Sequence, residues 1–297
     1  MASAETPPIR LHEDAALFRE AVTFTAVQTG FESRLIEKDY FCSVVLQHLA
    51  TEAPDLVFKG GTCLAKIHTG FHRLSEDLDF TIPMPVDAGR AQRSRAAKPV
   101  GAALGRVASA LGAIRVSAPL RGANNSAQYL AALTYVSMLD DHTEPIRIEI
   151  GLREPLLEDR VVGVAQTLLL DPISGGPLIP SFALACLSRH ETMAEKLRAA
   201  LARLEPAIRD FYDIDHVIRS GGLDLDDDRL LRLVMRKLAT PDTGPVDVSE
   251  TRLLRLRDQI ASELQPVLRR TDLEGFDLDR AFAAATRVAR VCRVAET

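Results

Sequence analysis

The chain has little cysteine and no excess of positive charge. The four cysteines, at positions 42, 63, 186 and 292 of the 297 residues, are far apart, and none belongs to a CxxC pair. This spacing excludes a dense disulfide framework and favours buried, apolar thiols in a reducing cytosol. The 36 lysines and arginines are outnumbered by 41 acidic residues, which excludes a strongly basic protein that coats nucleic acid, although not a local basic groove.

Long apolar runs are also missing. No uninterrupted apolar stretch reaches the roughly 18 residues of a membrane-spanning helix, and the first residues lack the basic and apolar regions of a signal peptide. We therefore expect no membrane insertion, no secretion and a cytoplasmic location. The hydrophobic fraction of 46% and the charged fraction of 26% are typical of folded proteins, and the length fits two domains of about 100 to 200 residues each.

The first half of the chain alternates between helix and strand patterns. Apolar residues recur twice at helical spacing within the first fifty positions, and a short apolar strand then ends at a glycine turn. Further on, alternation of polar and apolar residues predicts strands, and an Ala- and Arg-rich stretch predicts a helix with a short apolar end. The predicted strands cover 56–58, 77–82, 129–137 and 145–150, and the helix with its apolar end covers 86–116. We therefore expect an α/β domain with amino-terminal helices over residues 1–178.

From Pro180 onward the pattern predicts helices only, the first of them running from near Phe182 to Leu204. The later predicted helices cover 207–219, 227–238, 250–267 and 278–293. A helical domain over residues 179–297 is therefore expected. Five arginines in its tail could form an RNA-contact strip, but arginines in such a pattern more often lie on helix faces exposed to solvent. These arginines are at positions 252, 255, 257, 269 and 270.

Two aspartates on one predicted strand carry the first functional signal. Asp77 and Asp79 are two residues apart, so their carboxylates project from the same face, about 7 Å apart. Neighbouring carboxylates repel unless they share a cation, and such paired oxygen ligands suit Mg²⁺ bound to substrate phosphates. Upstream, Gly60 and Gly61 lie where a strand meets a helix, so bare backbone can approach a phosphate. Either signal alone is weak, because acidic pairs and glycine turns are common.

In this order the two motifs resemble a known family. KGGT at 59–62 followed by RLSEDLDF at 73–80 is similar to the AbiEii/AbiGii toxin family of nucleotidyltransferases, within the DNA-polymerase-β-like superfamily. The resemblance implies an α+β fold, in which a mixed sheet with flanking helices precedes an all-helical carboxy-terminal domain. It also implies a triphosphate and metal site at the glycine turn and the aspartate strand. The residues expected to bind the NTP are Lys59, Gly60, Gly61, Thr62, Ser75 and Arg203. For Ser75, a local backbone cap stays open as an alternative.

A third carboxylate is implied on a neighbouring strand. Glu149 lies on the polar face of strand 145–150 and is the candidate, while a structural pair with Arg147 or another base across the sheet is the alternative. The segment EKDY at 37–40 also resembles the family, but its apolar neighbours at helical spacing make packing its expected role.

The second half carries a further match. ETMAEKL at 191–197, Arg203 and RDFYDI at 209–214 resemble the family's EKxxA…R…RDxYD segment. On one continuous helix, Lys196 and Arg203 would share a face and bind triphosphate oxygens. Beyond the break at Glu205 and Pro206, Asp210 and Asp213 would share a face of the next helix. Two alternatives stay open, namely an exposed face of solvated charges and a plain surface pair of Arg209 with Asp210.

The resemblance implies transfer of a nucleoside monophosphate from an NTP to a hydroxyl group, with Mg²⁺ or Mn²⁺ as the cofactor. The expected catalytic residues are Asp77, Asp79, Glu149, Lys196, Asp210 and Asp213, of which the first three would be metal ligands. A toxin of a toxin–antitoxin or phage-defence pair is implied, together with a cognate antitoxin, and the similar MenT-like toxins make the tRNA 3′ end the favoured acceptor. Protein or small-molecule acceptors, or a non-catalytic nucleotide- or partner-binding module, are the rivals.

Overall fold

The computed structural model describes residues 9–222, 224–241 and 243–294, which form two compact units. The first unit contains residues 9–155 and 160–186, and the second contains 156–159 and 187–294. No helix among the described residues is both long enough and apolar enough to cross a membrane.

Two helices open the first unit, as the apolar spacing predicts. They are α1, Ala15–Thr29, and α2, Ser33–Glu52. Asp14 caps α1 by accepting a 3.1 Å hydrogen bond from Leu17 N, and Gly30, with a φ of 76°, ends it in the left-handed conformation that favours glycine. Most of α2 is buried, because it contacts α1, a later helix and two strands of the sheet.

The first unit is built around one mixed sheet of seven strands. The strands are β1 Val57–Lys59, β2 Asp77–Thr81, β3 Arg115–Ala123, β4 Gln128–Val136, β5 Thr143–Gly151, β6 Val161–Ala165 and β7 Phe182–Cys186. Their order is β3-β4-β5-β2-β1-β7-β6, in which β1 is parallel to β7, β2 is parallel to β5, and the other pairs are antiparallel. Helix α3, Gly60–Cys63, continues as a π-helical turn over Leu64–His68, and α4 covers Arg90–Leu111. This mixed sheet with flanking helices confirms the predicted α+β fold.

The prediction of a helix beginning near Phe182 is wrong for residues 182–186, which form strand β7. Phe182, Leu184 and Cys186 are buried, and the two alanines between them are less so. This period of two is that of a strand with one face on the core, but five residues are too few to distinguish it from the start of a helix. Strand β6, which pairs with β7, was not predicted either, nor was strand β3, which begins inside the segment 86–116 predicted as a helix with an apolar end.

The EKDY segment at 37–40 forms part of a buried polar network in α2. Glu37 accepts hydrogen bonds of 2.7 Å from the Ser137 hydroxyl and from Met138 N. Asp39 Oδ1 lies 2.6 Å from the ammonium of Lys66, a side chain that is only 1% exposed. Burial raises the pKa of Glu37 above its usual range, and the two hydrogen bonds oppose that rise. These contacts confirm that the segment packs the helix against the rest of the unit.

The regular elements of the second unit are helices over all of its described residues. They are α5 Arg189–Ala202, α6 Ile208–Arg219, α7 Asp228–Leu238, α8 Glu250–Gln259, α9 Arg270–Gly275 and α10 Leu278–Val294. Ser188 caps α5 by accepting a 3.1 Å hydrogen bond from Glu191 N. The helix predicted over 250–267 is interrupted, because α8 is followed by a π-helical turn, Ile260–Leu264, and then by a 3₁₀ turn, Gln265–Val267, that contains Pro266.

Candidate active site

The two aspartates lie on β2 between two strands that also carry charge. In the antiparallel pair of β1 with β2, Lys59 is opposite Asp79. In the parallel pair of β2 with β5, Asp77 is opposite Arg147 and Asp79 is opposite Glu149. Residues directly opposite each other, and residues two apart on a strand, share a face of the sheet. Three acids and two bases therefore project from the same face, while the alternate residues of β2 and β5 are buried on the other face.

An open cavity of about 490 Å³ lies over this face within the first unit. Its charged lining combines the three carboxylates with the guanidinium groups of Arg121 and Arg147. Its apolar lining comes from β3 and β4 and includes Pro119 and Leu130, the latter 44% exposed. The cavity can therefore contact both an anionic group and a flat apolar group of one ligand.

The glycine turn packs directly against the acidic strand. Gly60 has a φ of 75°, and a Cβ atom placed on it would lie 2.8 Å from the Cβ of Asp79. A Cβ on Gly61 would meet the guanidinium of Arg73 in the same way, 3.2 Å from its Cζ. The hydroxyl of Thr62 is buried and donates a 2.5 Å hydrogen bond to the carbonyl of Asp77. Gly60 is thus required sterically, a side chain at Gly61 would displace the end of the Arg73 side chain, and Thr62 holds the strand that carries the acids.

Ser75 lies in the loop before β2 and is partly exposed. Its local-cap alternative is not observed, because no hydrogen bond of its hydroxyl is found among the described residues.

We expect Gly60→Ala to lower both stability and activity, because alanine is strained at a φ of 75° and its Cβ would displace the Asp79 carboxylate. The matched control is Gly70→Ala, since Gly70 has a φ of 66° but nothing lies within 4 Å of a Cβ placed there. Urea unfolding should show a loss of about 1–2 kcal/mol for the backbone strain in both variants. Only Gly60→Ala should lose the transfer activity that the sequence resemblance implies; equal activity in the two variants would contradict the steric role.

A second cluster of predicted residues lies in the second unit. The Lys196 ammonium is 2.8 Å from Asp210 Oδ1 and 2.8 Å from Asp213 Oδ2, and these three side chains are 11%, 5% and 0% exposed. Arg203 Nη1 lies 3.3 Å from the other oxygen of Asp210. The alternatives of a solvated helix face for Lys196 and of a surface pair for Asp210 are therefore wrong, because Lys196, Asp210 and Asp213 are buried and paired with one another, whereas Arg203 is 52% exposed.

The predicted continuous helix from Lys196 to Arg203 is also wrong. Helix α5 ends at Ala202, and Arg203 has the extended backbone of a C-cap residue, with a φ of −70° and a ψ of 132°. Arg203 nevertheless reaches Asp210, which lies in the first turn of α6, where the helix dipole favours a negative charge.

The tail arginines pair with acidic residues or make structural hydrogen bonds, although Arg255, Arg257 and Arg270 are exposed. Arg252 is 3% exposed and donates to the carbonyls of Ala200 and Arg203 at the end of α5. The other pairs are Arg255 with Glu205, Arg257 with Asp279, Arg269 with Asp272 and Arg270 with Glu274. Each pair neutralises a charge that an RNA strip would need, so the structure favours the solvated and structural interpretation.

A comparison with protein families decides the assignment. Residues 44–286 match the model of a family described as nucleotidyl transferase AbiEii toxin, type IV TA system. This chain belongs to the AbiEii family. It is therefore a nucleotidyltransferase and a toxin of a type IV toxin–antitoxin system, which implies a cognate antitoxin as partner.

Two crystal structures resemble the AbiEii-family chain along most of its length. One, an H. pylori protein assigned provisionally as a nucleotidyltransferase, is 17% identical with a TM-score of 0.52, and the match covers 88% of this chain and 96% of that chain. The other, JHP933 from Helicobacter pylori, is 18% identical with a TM-score of 0.51, and the match covers 88% and 93%. At these identities the likeness shows a shared fold. Among curated proteins, none matches this chain.

Sequence reasoning missed part of the surface around the acids of this AbiEii-family enzyme. Arg121 and the apolar residues of β3 and β4 line the same cavity as Asp77 and Asp79. No motif marks them, because their position depends on the order of the strands in the sheet. Arg147 had a detectable signal, since the alternation in β5 places it on the same face as Glu149.

Proposed function

We propose that this AbiEii-family enzyme depends on Mg²⁺ and transfers a nucleoside monophosphate from an NTP to the 3′-terminal hydroxyl of tRNA. The observation that supports the proposal is the register of β1, β2 and β5. That register groups Asp77, Asp79 and Glu149 on one face beside the glycine turn.

The donor set fits a hard cation, because all three candidates are carboxylates and Mg²⁺ prefers oxygen ligands. Among the described residues these three do not form a group whose ligand atoms all lie within 4.8 Å of one another. We propose Asp77 and Asp79 as the principal ligands, because they lie two apart on one strand, with Glu149 opposite Asp79 as the third carboxylate beside them. Bound Mg²⁺ would stabilise the charge on the entering and leaving oxygens of the transfer.

The other charged groups on this face have roles in the proposed reaction. The acceptor hydroxyl oxygen bonds to the α-phosphorus, and the bond from that phosphorus to the pyrophosphate oxygen breaks. Glu149 accepts the hydroxyl proton, a role that its position opposite Asp79 on the neighbouring strand supports. Lys59 and Arg147, opposite the two aspartates, offset the negative charge that develops on the phosphates.

For the second unit, we propose that Lys196 is a phosphate-binding cation whose position is fixed by Asp210 and Asp213. The two 2.8 Å contacts from one ammonium to carboxylates on successive turns of α6 support this role, because they hold the long lysine side chain in one conformation. Arg203, with a side chain 52% exposed, is proposed as a second phosphate contact.

The test is incubation of the purified protein with each α-³²P-labelled NTP, Mg²⁺ and total tRNA, followed by a denaturing gel. We expect one NTP to label tRNA, and the label to disappear when Mg²⁺ is chelated. Periodate-oxidised tRNA, which lacks the intact 3′-terminal ribose, is the control and should stay unlabelled. Label in oxidised tRNA, or only in protein or small molecules, would contradict the proposed acceptor. Absence of label from every fraction would contradict the transfer itself.

A further inference from the structure

Two cysteines and a histidine that are distant in sequence come together in the first unit. Cys63 ends α3, His68 ends the π-helical turn that follows, and Cys186 ends β7. One ligand atom of each residue lies within 4.8 Å of those of the other two. Among the described residues, this is the one group of three potential metal-binding side chains that meets this limit.

We propose that Cys63, His68 and Cys186 bind one Zn²⁺ ion. Two thiolates and an imidazole are ligands that Zn²⁺ prefers, whereas Mg²⁺ prefers the carboxylates of the acidic strand. Tetrahedral zinc has Zn–S bonds of about 2.3 Å and Zn–N bonds of about 2.0–2.1 Å, so its ligand atoms lie roughly 3.3–3.8 Å apart. The three side chains therefore need to move by about 1 Å or less. A water molecule would occupy the fourth position, as in other three-ligand zinc sites.

The surroundings of the cluster suit a bound cation. Cys63 and Cys186 are buried, so their thiols are shielded from solvent. His68 is partly exposed, so a metal ion can reach the cluster from solvent on the side of this residue. A hydrogen bond from Cys63 lowers the pKa of the Cys186 thiol most, burial opposes it, and His68 lowers it further, to about 5. Cys42, outside the cluster, behaves in the opposite way, because burial raises the pKa of its thiol to about 12.

The position of the cluster indicates what the ion would hold together. A Cβ on Gly163 of β6 would lie 2.7 Å from Cys186 Sγ and 2.8 Å from Ile67, so the sulfur occupies a site that only glycine leaves open. The register of β1 with β7 pairs Phe58 with Cys186, and α3 follows β1 directly. Zinc would thus join the helix after the glycine turn to β7. This proposal is independent of the proposed function, because it uses neither the acidic strand nor the NTP.

The test is a zinc titration of the reduced, chelator-stripped and desalted full-length protein, in competition with a chromogenic chelator. We expect one equivalent to bind, and Co²⁺ at the same site to show thiolate-to-metal charge-transfer absorption. Cys63→Ser, Cys186→Ser and His68→Gln should each weaken binding by about a hundredfold or more, since even loss of an outer-shell partner costs about 10–100-fold. At a free zinc concentration about a hundredfold above Kd, the wild-type Tm should rise by roughly 5 °C or more.

Three controls separate this site from others on the chain. Cys42→Ser and Cys292→Ser replace the remaining buried thiols and should bind zinc as the wild type does. Asp79→Asn should also keep the site, because zinc at the acidic strand would be lost in that variant instead. His68→Gln replaces a partly exposed residue, so it gives an answer even if the serine variants fail to fold. Unchanged zinc affinity in His68→Gln, or no charge-transfer band with Co²⁺, would overturn the proposal.

Discussion

Asp77→Asn and Asp79→Asn are each expected to slow nucleotidyl transfer by about a thousandfold or more. Each change keeps the shape of the side chain and removes one negative charge from a strand where two carboxylates share a face with Glu149. Asparagine is a poorer ligand for Mg²⁺, and loss of one preorganised charge in an active site costs about 10²–10³ in rate even without a metal. Single-turnover transfer of label from the NTP measures the effect.

The matched control for both variants is Asp87→Asn, the same substitution at an exposed position in the turn before α4. It should leave the transfer rate unchanged. Urea unfolding of all three variants should stay within about 1 kcal/mol of the wild type, because none of the three aspartates is fully buried. Full activity in Asp79→Asn, or a loss of activity that simply follows unfolding, would show that the acidic strand does not carry the chemistry.

Local periodicity was sufficient to predict which residues share the acidic face. Asp77 and Asp79 are two apart on one strand, as are Arg147 and Glu149 on another, and the structure has both strands. The pairing of β2 with β5 was not encoded locally, because β3 and β4 intervene in sequence while β2 and β5 are neighbours in space. Strand order is a property of tertiary packing. The sequence therefore predicted the polar face of β2 and that of β5 separately, but not the register in which the two strands pair.

The incorrect predictions arose where a short segment changes conformation. Phe182–Cys186 is a five-residue strand just before a helix, and Arg203 lies one residue beyond the end of α5. Arg203 therefore does not share a helix face with Lys196, as one continuous helix would require. The two side chains are nevertheless close together, because both contact Asp210. Contacts between residues of two successive helices, such as those of Lys196 and Arg203 with Asp210, depend on how the helices pack, which the periodicity of the sequence does not describe.

Lys196→Ala is expected to destabilise the second unit by about 3–5 kcal/mol, because it leaves Asp210 and Asp213 buried without the cation that both contact. Native-state hydrogen exchange of peptides from α5 and α6 should show the loss. Lys98→Ala, which removes an exposed lysine in α4, is the control and should stay within about 0.5 kcal/mol of the wild type. Equal protection in the two variants would contradict a structural role for the lysine and its aspartates.

The structural and chemical roles of Lys196 can then be separated by removing the whole buried charge group. Lys196→Met combined with Asp210→Asn and Asp213→Asn removes all three buried charges. Arg203, which loses Asp210 as its partner, is 52% exposed, and replacing a buried ion pair with uncharged residues of similar volume is often neutral for stability. We therefore expect this triple variant to recover most of the protection lost in Lys196→Ala. If Lys196 binds phosphate, transfer of label should stay low despite the recovered fold. Recovery of activity together with stability would instead show that the group only supports the helices.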